Sequence, residues 1–71
     1  MSSKNRDKLY TRALKFVLKE NEANVSILQR HFSIGFSRAG RLLDLMEDNG
    51  KVGPYRGSQP REILVKENPE L

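Results

Sequence analysis

Apolar positions recur at three-and-four spacing through the first two thirds of the chain and at every second position near its end. From Asp7 to Glu20, Leu9, Tyr10, Ala13, Leu14, Phe16, Val17 and Leu18 fall on one side, with Lys8, Arg12, Lys15 and Lys19 on the other. That period predicts an amphipathic first helix. Asp7 stands where an N-cap favours a short oxygen acceptor. The stretch "NEAN" at 21–24 then breaks the pattern. A second, shorter helix is expected from about Ser26 to Phe32, burying Ile27, Leu28 and Phe32. Its "SILQ" start fits a capping box, in which Ser26 accepts from the backbone three residues on and Gln29 reaches back to the Ser26 amide. Val25, just before it, reads as a one- or two-residue strand.

The connection "FSIG" is tight. Ser33 is expected to be the N-cap of a third helix, Ile34 a buried plug, and Gly35 a position free to take an unusual backbone angle. The third helix runs from Gly35 or Phe36 to about Asn49, with Ala39, Leu42, Leu43 and Met46 as its inner stripe and Gly50 as a left-handed stop. Gly40 inside this helix costs roughly 1 kcal/mol relative to alanine, and close packing is the preferred account of it. After Gly50 the period changes. "KV" and "REILV" read as short strands, with Ile63 and Val65 on one face and Leu64 on the other. Between them, "GPYRGSQP" holds two glycines, two prolines and a serine, which is turn chemistry throughout.

The order is helix, helix, turn, helix, hairpin. Two helices joined by a tight turn form a helix-turn-helix, and a hairpin beside the last helix makes it winged. The fold class is therefore mainly α with a small β-hairpin: a winged helix-turn-helix of three helices plus a wing. One domain is expected over 7–66, with disordered tails at 1–6 and 67–71.

Composition narrows function mostly by exclusion. Seventy-one residues hold one small domain at most. The absence of cysteine removes disulfides, thiolate metal sites and a cysteine nucleophile. The single histidine, His31, cannot form a zinc site alone, and it reads as a surface or cap residue with no third group to orient it. No phosphate-binding GxxxxGK[ST] occurs, so the chain carries no nucleotide site of its own. No catalytic residue, metal or cofactor is expected. No apolar run approaches the roughly 18 residues of a spanning helix, and the N-terminus lacks a signal-peptide core, so the chain as given is expected to be cytoplasmic.

The net charge of +4 is modest, so its placement matters more. Arg30, Arg38, Arg41, Lys51, Arg56 and Arg61 outnumber Asp44, Glu47 and Asp48 between residues 30 and 61, whereas the tail beyond is acidic. A basic stripe suits a polyanion, and a solvated basic surface accounts for the charge as well. Helix geometry sharpens the choice. At about 100° per residue, Ser37, Arg41, Asp44 and Asp48 line one polar stripe opposite Leu42, Leu43 and Met46. In a helix-turn-helix that face enters the major groove.

Arg41 can donate two parallel bonds to guanine O6 and N7, and Asp44 can accept from a cytosine amino group. Ser37 can bond a base edge or a phosphate. Asp44 is alternatively a partner of Arg41 at three-residue spacing. The DNA-backbone set is Arg38 at the flank, Arg30 on the second helix, and Lys51, Arg56 and Arg61 around the wing.

"VSILQRHFSIGFSRAGRLLDLMEDNGKVGP" followed by "GSQPREILV" closely resembles the C-terminal γ domain of the FtsK/SpoIIIE-type DNA translocases, over about Asp7 to Val65. The resemblance implies a winged helix that reads short, asymmetric, G-rich double-stranded DNA and so orients an ATP-driven motor during chromosome segregation. It also implies a parent protein anchored in the membrane at the division septum, whose motor domain is a partner. In some members a tyrosine recombinase is a further partner. The family's base-reading positions map to Ser37, Arg41 and Asp44. Ser37 stands where asparagine is usual, Asp44 where glutamate is common, and Gly40 where alanine is usual. Alternatives are a small winged-helix transcription regulator, which would favour palindromic sites as a dimer, and a winged-helix module for protein contact alone.

Overall fold

In the computed structural model, which describes residues 7–65, the first apolar stripe becomes α1, Tyr10–Glu20. It buries Tyr10, Ala13, Leu14 and Val17. The helix starts three residues later than the sequence suggests. Asp7 instead closes a turn ahead of it: its carboxylate accepts from the Leu9 N–H at 2.9 Å, and its carbonyl accepts from the Tyr10 N–H at 3.0 Å. Asn21 ends α1 in the left-handed region, at φ 56°. Asparagine tolerates that conformation better than most side chains.

The second helix, α2, is Val25–Phe32. Its N-cap is Asn24, not Ser26: the Asn24 side chain accepts from the Ile27 N–H at 3.0 Å. Ser26 lies within the first turn, so the expected capping box does not form. Asn24 wins because its own amide is held by Glu22 Oε2 at 2.6 Å, which aims its oxygen at the helix start. Val25 is helical, and the extended residue is Ala23 instead.

The third helix, α3, is Phe36–Asp48 and buries the expected Ala39, Leu42, Leu43 and Met46. The turn before it differs from expectation. Ser33 belongs to the end of α2, left-handed at φ 55°, with its N–H donating to the Gln29 carbonyl. It is not the N-cap of α3. Gly35 takes that place at φ −77°, which any residue adopts. The left-handed step needed to turn the chain has thus been taken two residues earlier. Gly50 behaves as expected, at φ 74°. Its N–H reaches the Glu47 carbonyl, and the Lys51 N–H reaches Met46 at 2.8 Å, the paired bonds of a Schellman stop.

The core lies where α3 packs on α1 and α2. Leu28, Leu42, Leu43, Met46, Val17 and Val52 are its largest fully buried side chains. Asn49 Nδ2 donates to the Tyr10 hydroxyl at 2.9 Å, tying the end of α3 to the start of α1.

The segment after α3 contributes little strand. Val52 pairs with Ile63 in a single antiparallel bridge, flanked by Gly53 N–H to Glu62 O at 2.8 Å and Leu64 N–H to Lys51 O at 2.9 Å. Arg56 faces Gln59 across a turn, and Arg61 pairs with Ala23. The ladder stops early because Pro54 and Pro60 have no N–H to donate. The expected alternation holds: Ile63 and Val65 are half-buried and Leu64 is exposed. The tails assigned to 1–6 and 67–71, with Lys66, lie outside the described residues. Among the described residues, no helix is long and apolar enough to cross a membrane.

Gly40 is not a close-packing glycine. A Cβ built on it would meet nothing within 4 Å outside its own helix backbone and chain neighbours. Helix propensity then decides the effect of a side chain here, and Gly40→Ala is expected to stabilise the fold by about 1 kcal/mol. Thermal unfolding should show it as a rise of roughly 4–8 °C. A fall in melting temperature would mean that the position is strained by a side chain after all.

Candidate nucleic-acid interface

The outward face of α3 follows from its inward one. Once Ala39, Leu42, Leu43 and Met46 are buried, helical geometry turns Ser37, Arg41, Asp44 and Asp48 to solvent, and all four are exposed. The Arg41 side chain makes no hydrogen bond or ion pair among the described residues. Asp44 does not hold it: the Asp44 Oδ1 accepts instead from Arg61 Nη2 at 2.9 Å, and the side chain stays 67% exposed. The stripe therefore offers a donor fork at Arg41 that no carboxylate among the described residues bonds, and a half-engaged acceptor at Asp44.

Arg38 sits on the flank nearest α1. It grips Asp7 with two parallel bonds, Nε to Oδ2 at 3.0 Å and Nη2 to Oδ1 at 2.8 Å. The bonds from Arg38 hold the Asp7 carboxyl below its ordinary range, with smaller help from the Leu9 N–H and the Arg41 charge, while burial opposes them. The Arg38 guanidinium is raised by the same bonds. The Arg38 side chain remains 46% exposed, so it can meet a phosphate only while Asp7 competes for the same fork.

Arg61 departs furthest from the expectation drawn from sequence. Its side chain is 7% exposed and it is the one charged residue among those described that counts as buried. Nη1 donates to the Leu43 carbonyl at 3.3 Å and to Glu47 Oε1 at 3.4 Å, beside the Asp44 bond. It clamps α3 to the segment that follows, and these acceptors take up its guanidinium.

The other cations are distributed unevenly. Arg56 is exposed, in the turn bridged by Arg56 and Gln59, and Lys51 is half-buried at the end of α3. That turn lies beside α2 and α3: Tyr55, Gly57, Ser58 and Gln59 share a hollow of about 330 Å³ with Phe36 and with the start of α2. Phe36 and Tyr55 are 69% and 73% exposed there. Arg30 is exposed elsewhere, bordering a hollow with Glu20, Glu22, Phe16 and His31. His31 is a surface residue whose ring stacks on Phe16, with centroids 3.9 Å apart.

Residues 4–66 match the family described as the Ftsk gamma domain. The chain belongs to the FtsK gamma-domain family. Among similar proteins, the DNA translocase FtsK of Halalkalibacterium halodurans is 57% identical over 60 residues, covering 84% of this chain and 8% of the relative. The DNA translocase FtsK of Bacillus cereus is 52% identical over 61 residues, covering 86% and 8%. The DNA translocase SpoIIIE of Bacillus subtilis is 52% identical over 59 residues, covering 83% and 8%. The chain thus spans about 8% of the length of these relatives.

Two features of this gamma domain were not anticipated from sequence. The Asp7–Arg38 pair joins residues 31 apart, with no periodicity to announce it. The Arg61 clamp was missed as well, although strand parity, which puts residue 61 on the same face as Ile63 and Val65, was a signal for it.

Proposed function

We propose that this gamma domain is a winged helix-turn-helix that binds double-stranded DNA as part of a longer DNA translocase. In this reading α3 lies in the major groove and recognises a short, asymmetric, G-rich sequence, which orients the motor. Arg41 reads a guanine edge, Asp44 accepts from a cytosine amino group, and Ser37 adds a contact to a base or phosphate. Arg38, Lys51 and Arg56 supply phosphate contacts, which give affinity and register without sequence information. Residues 51–64 act as the wing.

The observation that carries this reading is Arg41. Its side chain makes no ion pair among the described residues and sits in the middle of an exposed polar stripe on the helix that follows the turn, while the neighbouring Arg38 and Arg61 are both engaged by acids. A guanidinium that feels Asp7 only as a nearby charge, with no bond to a carboxylate among the described residues, is available to a base edge. Selection of duplexes from a random pool tests it directly. The expected outcome is enrichment of one asymmetric G-containing word, with binding that weakens steeply as salt rises. A palindromic word would favour a dimeric regulator instead, and no binding at moderate salt would favour a protein-contact module.

A further inference from the structure

Three acceptors on one edge of α3 converge on a single buried guanidinium. Arg61 takes the Leu43 carbonyl and Glu47 with Nη1 and Asp44 with Nη2, while its own backbone N–H is fixed to the Ala23 carbonyl at 2.9 Å. The group is therefore anchored from both ends. The Asp44 side chain is 67% exposed, and among the described residues its second oxygen, Oδ2, has no partner. Arginine has five donors and no acceptor. Whatever atom of residue 44 turns towards Arg61 must accept, and the other atom must then face outward.

We propose that Arg61 is a specificity-determining positioning residue: it touches no DNA, but by holding one oxygen of Asp44 it fixes the polarity that residue 44 presents to a base. The inference rests on the reading in which Asp44 faces a base edge. With aspartate at 44, the outward atom is an acceptor and selects a cytosine amino group. With asparagine, the side-chain oxygen stays on Arg61 and the NH₂ is forced outward. A donor selects the opposite pattern, guanine O6 or N7, or thymine O4. Without the clamp, the amide would turn either way and select neither.

The test is random-duplex selection with the wild-type domain, Asp44→Asn, and Asp44→Asn combined with Arg61→Met. Methionine has similar reach and no donor, and replacing a buried ion by an apolar group of similar volume is often tolerated. Wild type is expected to enrich cytosine at one position of the word. Asp44→Asn is expected to reverse that position by about tenfold towards a base with an acceptor edge, leaving the other positions intact. Adding Arg61→Met is expected to flatten that position alone, in a protein that still melts cooperatively.

Relaxed rather than reversed preference in Asp44→Asn overturns the role of Arg61. This single variant decides the matter even where the double variant does not fold, because Asp44 is mostly exposed. An unchanged word in Asp44→Asn shows that residue 44 faces no base and overturns the inference, while the DNA reading survives. A wild-type domain that enriches no word at all brings down both.

Discussion

Arg61→Ala is expected to destabilise the domain by about 2–4 kcal/mol, a large fraction of what a chain this small holds. The size follows from which losses count. Removing one partner of a buried ion pair usually costs about 3–5 kcal/mol, because the other charge is left buried. Here the stranded partners are not buried: Asp44 and Glu47 are 67% and 43% exposed, so water takes over and that penalty largely vanishes. What remains is the lost packing of the aliphatic stem against α3, the hydrogen bond to the Leu43 carbonyl, and the freed hinge between α3 and the bridge to Ala23. Thermal and urea unfolding followed by helical circular dichroism should show a drop on the order of 10–20 °C. Arg61→Met restores the stem and should recover much of the loss. A change below about 0.5 kcal/mol for alanine would mean that the buried position contributes nothing, and the clamp would have to be abandoned.

The three helices were legible in the sequence because burial imposes a period, and period survives without any knowledge of partners. Ala39, Leu42, Leu43 and Met46 could be assigned inward from spacing alone, and the exposure of Ser37, Arg41 and Asp44 follows from the same arithmetic. Gly50 was legible for a different reason: only a residue without Cβ readily holds a left-handed stop. Caps were less secure. Asn24 and Ser26 are both good N-caps within two residues of each other, and the choice fell to Glu22, whose bond to Asn24 depends on the fold of the linker. Ser33 took a left-handed conformation that glycine would favour, while Gly35 two residues on did without it.

Arginines were the hardest to read. Arg38, Arg41, Arg56 and Arg61 are the same letter in a basic stretch, yet three are exposed, one of them held in a bidentate pair, and the fourth is buried. Their fates depend on acids far along the chain, which composition cannot locate. Arg61 was read as a phosphate contact, although the alternation that puts Ile63 and Val65 on one face places residue 61 on that same face.

Arg41→Ala is expected to weaken binding to the selected G-rich word by roughly ten- to a hundredfold, the range of one lost bidentate guanine contact. Stability should stay within about 0.5 kcal/mol of wild type, because the side chain is exposed and makes no bond among the described residues that folding depends on. Fluorescence anisotropy on two duplexes at one salt concentration, the word and a scrambled version of it, separates the possibilities. A base contact predicts a large loss on the word and a small one on the scramble, since only the charge is missing there. A phosphate contact predicts similar losses on both, with the salt slope falling by about one unit. Arg56→Ala is the internal comparison, because an exposed turn cation should show this second pattern. Equal losses for Arg41→Ala on both duplexes would move it from base reader to phosphate anchor. Unchanged binding on both would remove α3 from the interface, and with it the reason for an arginine that no acid on the helix engages.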